Sequence, residues 1–363
     1  MASARTRTSP GSGCISGVSS TVRTSGPPNS WKRTIFNAQY PSLPFGVFFV
    51  RLHYKDNRGN DMTERENVWE EITFFSDGIE IAAHLYTRRD WRPCDPIRPA
   101  VVCLHGYSGM KEVYGMDVPR RLWEEGYFVL APDHRGFGES GGERGRHRPL
   151  EQAQDVYDAF TYMETVEGVD RDRMGCYGTS WGGASVIWCA AFDERIKVIV
   201  NSVGVSDGER WMKQARRPHE WLDFKEKVAE AARKRVTTGE HTYWPLLDIM
   251  LTDPHTLDVI QQHHQKHGHY VSDYDLESAE TCLRFKPEAV AHLISPRPVL
   301  VVYAEDDCTV PPEEQFGCYE QLGEPKKLVK LPAAQHYESY YFCNPEMHEI
   351  GMTEAVAWFG KYL

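Results

Sequence analysis

No apolar run in this 363-residue chain reaches the ~18–20 residues that a bilayer-spanning helix needs. The best stretch, residues 43–50, is short and carries Pro44 and Gly46. There is no C-x-x-C pair and no H-E-x-x-H. The nine cysteines are scattered and odd in number, so they read as reduced thiols in a reducing, cytoplasmic setting rather than as a disulfide framework. Residues 1–30 hold no acidic residue and are rich in Ser, Thr, Gly, Pro and Arg. Such a segment buries too little apolar surface to offset its chain entropy and reads as disordered. Its recurring Pro and Gly work against the amphipathic helix of an organellar transit peptide, and it lacks the apolar core of a secretory signal.

What is present is divided by charge. Residues 1–60 carry eight basic residues and one acid, a net of +7, within a chain whose formal net charge is −11. The remaining 303 residues therefore carry −18, and so acidic a body repels phosphate backbones. Nucleic acid and membrane are thus excluded as partners, and a small molecule is expected. The composition shift makes residues 1–61 a disordered extension, or upstream sequence translated from an early start codon, with the chain proper opening at Met62.

From there strands alternate with helices. Two runs, 71–76 and 79–87, flank Asp77-Gly78, a hairpin signal. Short continuous apolar runs follow at 99–104, 127–131, 173–178, 196–200, 298–303 and 327–331, as expected for strands buried on both faces. Helical patterns lie at 118–125, 150–166, 182–192, 312–322 and 345–362. The expectation is an α/β fold: a mostly parallel sheet, helices on both faces, an antiparallel hairpin at one edge. Residues 62–204 and 296–363 form this core. Between them, residues 205–295 lose the strand pattern and read as a helical cap, with Trp211, Trp221 and Trp244 as candidate substrate-binding residues. In such sheets ligands bind beyond the carboxyl ends of the strands, where an insertion forms a lid. The last helix offers a surface for a homodimer, although nothing in its pattern demands one.

Gly178-Thr179-Ser180-Trp181-Gly182 is a G-x-S-x-G motif after an expected strand and before an expected helix, the context that this motif requires. A serine hydroxyl is a weak nucleophile and needs a base, itself oriented by an acid. Along the chain the order Ser, Asp or Glu, His suits such sheets. Glu305-Asp306-Asp307 follows one late strand and His336 follows the next. Ser180, Asp307 and His336 are the candidate catalytic residues, with Asp306 and Glu305 as the other acids. The oxyanion of a tetrahedral intermediate needs fixed donors, assigned to the backbone N–H groups of Trp181 and Tyr107. His105 reads as a loop brace, and Asp133 with Arg135 as a structural ion pair near the site rim.

Taken together, HGYSG at 105–109, DHRGFGES at 133–140, GTSWGG at 178–183, DCTVP at 307–311 and the loop histidine 336 resemble the α/β-hydrolase superfamily over residues 70–362. Within it they are most similar to a branch of dienelactone hydrolases, Xaa-Pro peptidases and polyketide-transferase-like enzymes. The resemblance implies acyl transfer without metal or organic cofactor, and its Asp-x-x-Val-Pro pattern supports Asp307 as the acid. The expected function is a serine hydrolase acting on esters, amides or lactones of a small hydrophobic or aromatic acyl compound. An acyltransferase or C–C bond hydrolase with the same triad, or a non-catalytic ligand receptor, are the alternatives.

Two further motifs are set aside. Gly136-x-Gly138-x-x-Gly141 follows a strand, but no helix opens on it and no acid ends the next strand, so a dinucleotide site is not expected. His263, His264, His267 and His269 lack a completing carboxylate or cysteine and read as a solvated helix end rather than a metal site.

Overall fold

The computed structural model describes residues 68–88, 91–114 and 116–363. The expectations for residues 1–61 lie outside the described residues.

Strand β1 (Glu70–Ser76) turns at Asp77-Gly78 into β2 (Ile79–Tyr86), with both turn residues at positive φ. Then come β3 (Arg98–Leu104), helices α1 (Lys111–Tyr114) and α2 (Asp117–Glu124), β4 (Phe128–Pro132), α3 (Pro149–Met163), β5 (Val169–Thr179), α4 (Trp181–Phe192) and β6 (Ile196–Ser202). The segment after β6 holds α5 (Gly208–Gln214), α6 (Pro218–Thr238), β7 (Tyr243–Pro245), α7 (Leu246–Ile249), α8 (Pro254–Val259), β8 (Asp273–Asp275) and α9 (Leu276–Leu283). The chain closes with β9 (Val299–Ala304), α10 (Pro312–Gln321), β10 (Lys326–Leu331) and α11 (Pro345–Tyr362).

Eight strands form one sheet in the order β1-β2-β4-β3-β5-β6-β9-β10. It is antiparallel across β1, β2 and β4 and parallel from β4 to β10. Burial on both faces explains the continuous apolar runs. In β3, Val102 and Leu104 join one core with Phe160 of α3 and Ile187 of α4. Val101 and Cys103 join the other with Leu122 of α2 and Phe359 of α11. The period of two in the strand sends alternate side chains to opposite helical layers.

A third apolar cluster lies beyond the carboxyl ends of the parallel strands. Tyr107 follows β3, Phe137 β4, Trp181 β5, Val310 β9 and Tyr337 β10, and all five pack with Trp211, Phe224 and Ile260 of the β6–β9 segment. That segment is not purely helical as expected: β7 and β8 pair antiparallel, with Trp244 opposite Tyr274. Three residues on each side are too few to leave an alternating pattern. The strand expected at 173–178 begins earlier, at Val169, which pairs with Arg98 before a register shift; the polar 170–173 stretch hides this start.

Candidate active site

The turn from β5 into α4 forces Ser180 to φ 55° and ψ −120°, a conformation that costs a non-glycine residue of order 1–3 kcal/mol. The turn is tight enough to demand glycine on both sides. A Cβ at Gly178 would stand 2.2 Å from the Gly182 carbonyl oxygen, and one at Gly182 would stand 2.4 Å from the Leu104 oxygen. The Ser180 N–H donates to the Ser202 oxygen at 2.9 Å, which ties the turn to β6.

The loop after β10 brings His336 to this serine. Its Nε2 is 3.0 Å from Ser180 Oγ and its Nδ1 is 2.6 Å from Asp307 Oδ2. The other Asp307 oxygen accepts the N–H groups of Thr309 (2.9 Å) and Val310 (2.7 Å), fixing the carboxylate. All three side chains are buried. Of the three neighbouring acids, the structure brings Asp307 to the imidazole. Asp306 is exposed, and Glu305 turns away to Lys330 Nζ and the Ala333 N–H, each at 3.0 Å. The chain of contacts can carry a proton from the Ser180 hydroxyl to an imidazole held in one orientation by a carboxylate.

The expected oxyanion donors belong to segments that adjoin Ser180. Trp181 opens α4, where the first N–H groups have no partner within the helix. Gly106 presses on Ser180, since a Cβ there would lie 3.3 Å from Ser180 Oγ, and Tyr107 follows it. His105 is a brace as expected. Its Nε2 accepts the His134 N–H at 3.2 Å and its Nδ1 sits 2.9 Å from the Gly106 oxygen. Burial, then the neighbouring His134, push its pKa down to about 4, so it is neutral at pH 7.

Asp133 and Arg135 do not pair with each other. Asp133 receives the Lys111 N–H at 2.7 Å and Lys111 Nζ at 3.0 Å, while Arg135 reaches Asp155 on α3 (2.7 Å) and Asp77 (3.1 Å). Each side chain binds an element distant in sequence, and local spacing could not reveal that. Lys111, fully buried, also binds Glu139 at 2.6 Å and so locks the loop after β3 to the loop after β4.

Of the three expected tryptophans, Trp211 stands nearest this centre. Its ring lies 5.5 Å from Trp181 and 5.7 Å from Tyr107, and its Nε1 donates to the Thr309 oxygen at 2.8 Å. Trp221 and Trp244 instead flank Phe224, at 5.9 and 6.4 Å. Sequence reasoning missed Thr309, two residues after the acid in DCTVP. Its hydroxyl is 2.8 Å from each of Asp253 Oδ2, Thr252 Oγ1 and Thr256 Oγ1. One hydroxyl has one proton and two lone pairs. Thr309 therefore donates to the carboxylate and accepts from both threonines, which joins the acid loop to the β6–β9 segment.

The histidine run is not uniformly solvated. His264 is buried against Tyr337 (5.6 Å), at the end of a π-helical turn that continues α8, and burial pushes its pKa down to about 3. The ligand atoms of His241, Asp275 and Glu277 lie within 4.8 Å of one another. Arg148 already binds both of these carboxylates, so a cationic side chain supplies the positive charge there.

A family model described as serine aminopeptidase S33, a hydrolase family, matches residues 95–337. The chain belongs to this family. Thiohydrolase aneE of Aspergillus aculeatus is 24% identical over 289 residues, covering 75% of this chain and 87% of that protein. Polyketide transferase grgF of a Penicillium species is 25% identical over 258 residues, covering 69% and 86%. The crystal structure of the α/β hydrolase GrgF from Penicillium sp. sh18 superposes with a TM-score of 0.68 at 21% identity, covering 81% of this S33 chain and 98% of that one. The sheet and its helical layers are those of an α/β hydrolase.

Proposed function

We propose that this protein is a serine hydrolase that opens carboxylic ester or thioester bonds of a small hydrophobic or aromatic acyl compound. The observation that carries this reading is the buried relay from Asp307 through His336 to Ser180, with contacts of 2.6 and 3.0 Å. Ser180 Oγ attacks the carbonyl carbon while His336 Nε2 takes its proton. Asp307 keeps Nδ1 protonated and stabilises the imidazolium. The Trp181 and Tyr107 N–H groups hold the oxyanion. His336 returns the proton to the departing alkoxide or thiolate, and water, activated by the same imidazole, releases the acid. Residues 205–295 serve as the cap, with Trp211 as its contact to the acyl group. The eight described cysteines are free thiols, which suits a reducing, cytoplasmic setting; among the described residues no helix is long and apolar enough to cross a membrane.

Acyl transfer to an alcohol or amine acceptor is the second reading. It is favoured by the relative called a polyketide transferase and by the burial of Ser180, which limits water at the acyl-enzyme. The deciding experiment is hydrolysis of p-nitrophenyl esters from C2 to C12 by wild type and Ser180→Ala, with product analysis in the presence of an acceptor. The expected loss in Ser180→Ala is several powers of ten. Equal rates in the two proteins would sink both readings.

A further inference from the structure

A cavity of about 330 Å³ lies where α3, α4 and α9 meet. That volume is at the lower end of the ~300–1,000 Å³ range of small-molecule sites. None of Ser180, Trp181, Tyr107, Asp307 and His336 lines it, so it is separate from the catalytic centre. Its apolar wall comes from Pro149, Leu150, Trp188 and Phe285. Phe285 is buried and its ring stands 4.8 Å from that of Trp188, so the two rings close the inner end. Leu150 is 62% exposed and the Arg284 side chain 73%, which places both at the mouth. A large apolar side chain held in water beside an aromatic-walled cavity marks a surface that a ligand can cover.

The charged groups of the wall are unequally used. Three arginines line the cavity against two glutamates. Glu151 receives Arg146 at both of its oxygens, at 3.1 and 2.6 Å. Glu277 receives Arg148 and, at 3.4 Å, Arg235. Each carboxylate of the wall therefore already has a cation. Arg148 is likewise occupied, with Asp275 at 2.6 Å and Ser278 at 3.1 Å besides Glu277. Arg284 differs. A guanidinium has five N–H donors. Arg284 Nη2 donates to Glu280 Oε1 at 2.6 Å, and its other N–H groups have no partner among the described residues. Glu280 is itself shared with Arg235, so one carboxylate serves two guanidinium groups. The mouth thus offers spare donors in the fork that matches a carboxylate. A cationic ligand would meet arginines whose carboxylate partners are already taken.

We propose that this cavity is a second ligand site, which binds a small aromatic carboxylate with its rings against Trp188 and Phe285 and its carboxylate on Arg284. One arginine with spare donors suits one monoanionic group, and the rings supply the rest of the contact. The proposal goes beyond the hydrolase reading and does not depend on it.

The test is titration calorimetry on the full chain, with 2-naphthoate as the probe and 2-naphthamide as its neutral counterpart. 2-Naphthoate should bind roughly tenfold tighter than the amide, as expected for a charge-assisted pair at a partly exposed site. Arg284→Met should bring the two affinities to within about twofold, because it keeps the apolar stem and removes the fork. Thermal melting checks that the variant folds. If it does not, Leu150→Asp takes its place: it sets a like charge at the mouth, in the first turn of α3 where an acid is tolerated, and should also erase the preference. No measurable binding of 2-naphthoate at ~1 mM, equal affinities for the two probes in wild type, or a preference that survives the substitution would overturn the proposal. Binding of 2-naphthoate in the catalytic centre instead would leave its affinity unmoved by either substitution and so counts against the site.

Discussion

Three buried histidines make the fold sensitive to mild acid. His105 and His264 have pKa values pushed down to about 4 and about 3, and His147 is held well below its usual range, all chiefly by burial. An unfolded histidine takes up a proton near pH 6.5. Between pH 6.5 and 4 the unfolded chain therefore binds more protons at these sites than the folded one, and stability falls as pH falls. For His105 the cause is visible: a proton on Nε2 would abolish its acceptance of the His134 N–H. At pH 5 His105 and His264 each cost about 2 kcal/mol relative to pH 7, about 4 kcal/mol together, and His147 adds to the loss in the same direction. The depressed carboxylates Asp253, Asp275, Glu139 and Glu151 titrate below this window and add little at pH 5. Scanning calorimetry at pH 7 and pH 5 should show the melting temperature drop by roughly 10 °C or more. His105→Gln, whose carbonyl can still accept the His134 N–H, should reduce the pH 7-to-5 loss by about 2 kcal/mol. Melting temperatures within ~2 °C of each other at the two pH values would refute the reasoning.

Asp307→Asn should leave the fold intact, because an amide oxygen still accepts the Thr309 and Val310 N–H groups, while lowering kcat on p-nitrophenyl esters by about 10⁴-fold; a loss under tenfold would remove Asp307 from the proposed relay. Thr309→Val keeps the side-chain shape but removes the donor to Asp253 Oδ2 and the acceptor for the buried Thr256 hydroxyl, so unfolding should be easier by ~1–3 kcal/mol. Its backbone N–H and carbonyl still serve Asp307 and Trp211, so kcat should stay within about tenfold of wild type; unchanged stability in urea melts would count against the hydroxyl cluster.

Much of the fold was legible because its chemistry is local. The strands buried on both faces appear as short apolar runs, Asp77-Gly78 marks its turn, and the G-x-S-x-G glycines record clashes within a few residues of Ser180. Asp307 was separable from Asp306 and Glu305 through the Asp-x-x-Val-Pro pattern, which reflects a loop that folds its own N–H groups onto one carboxylate. What stayed hidden depends on partners far along the chain. Lys111 neutralises Asp133 from 22 residues away, Thr309 meets Asp253 across 56, and the outcome for Asp133 and Arg135 was misjudged for that reason. His264 looked solvated because four histidines in seven residues are polar in composition, yet one of them faces Tyr337. The β7–β8 pairing is held by register between two three-residue pieces and leaves no periodic trace.

The relay joins a residue made midway through synthesis to two made near its close. Ser180 leaves the ribosome 156 residues before His336, an interval of roughly 8–30 s at 5–20 residues per second. During that time the nucleophile turn has its β5 and α4 neighbours but no imidazole. On the proposed chemistry, a nascent or prematurely terminated chain carries a harmless serine, and the cell gains acyl-cleaving activity only when the last two strands of the sheet dock.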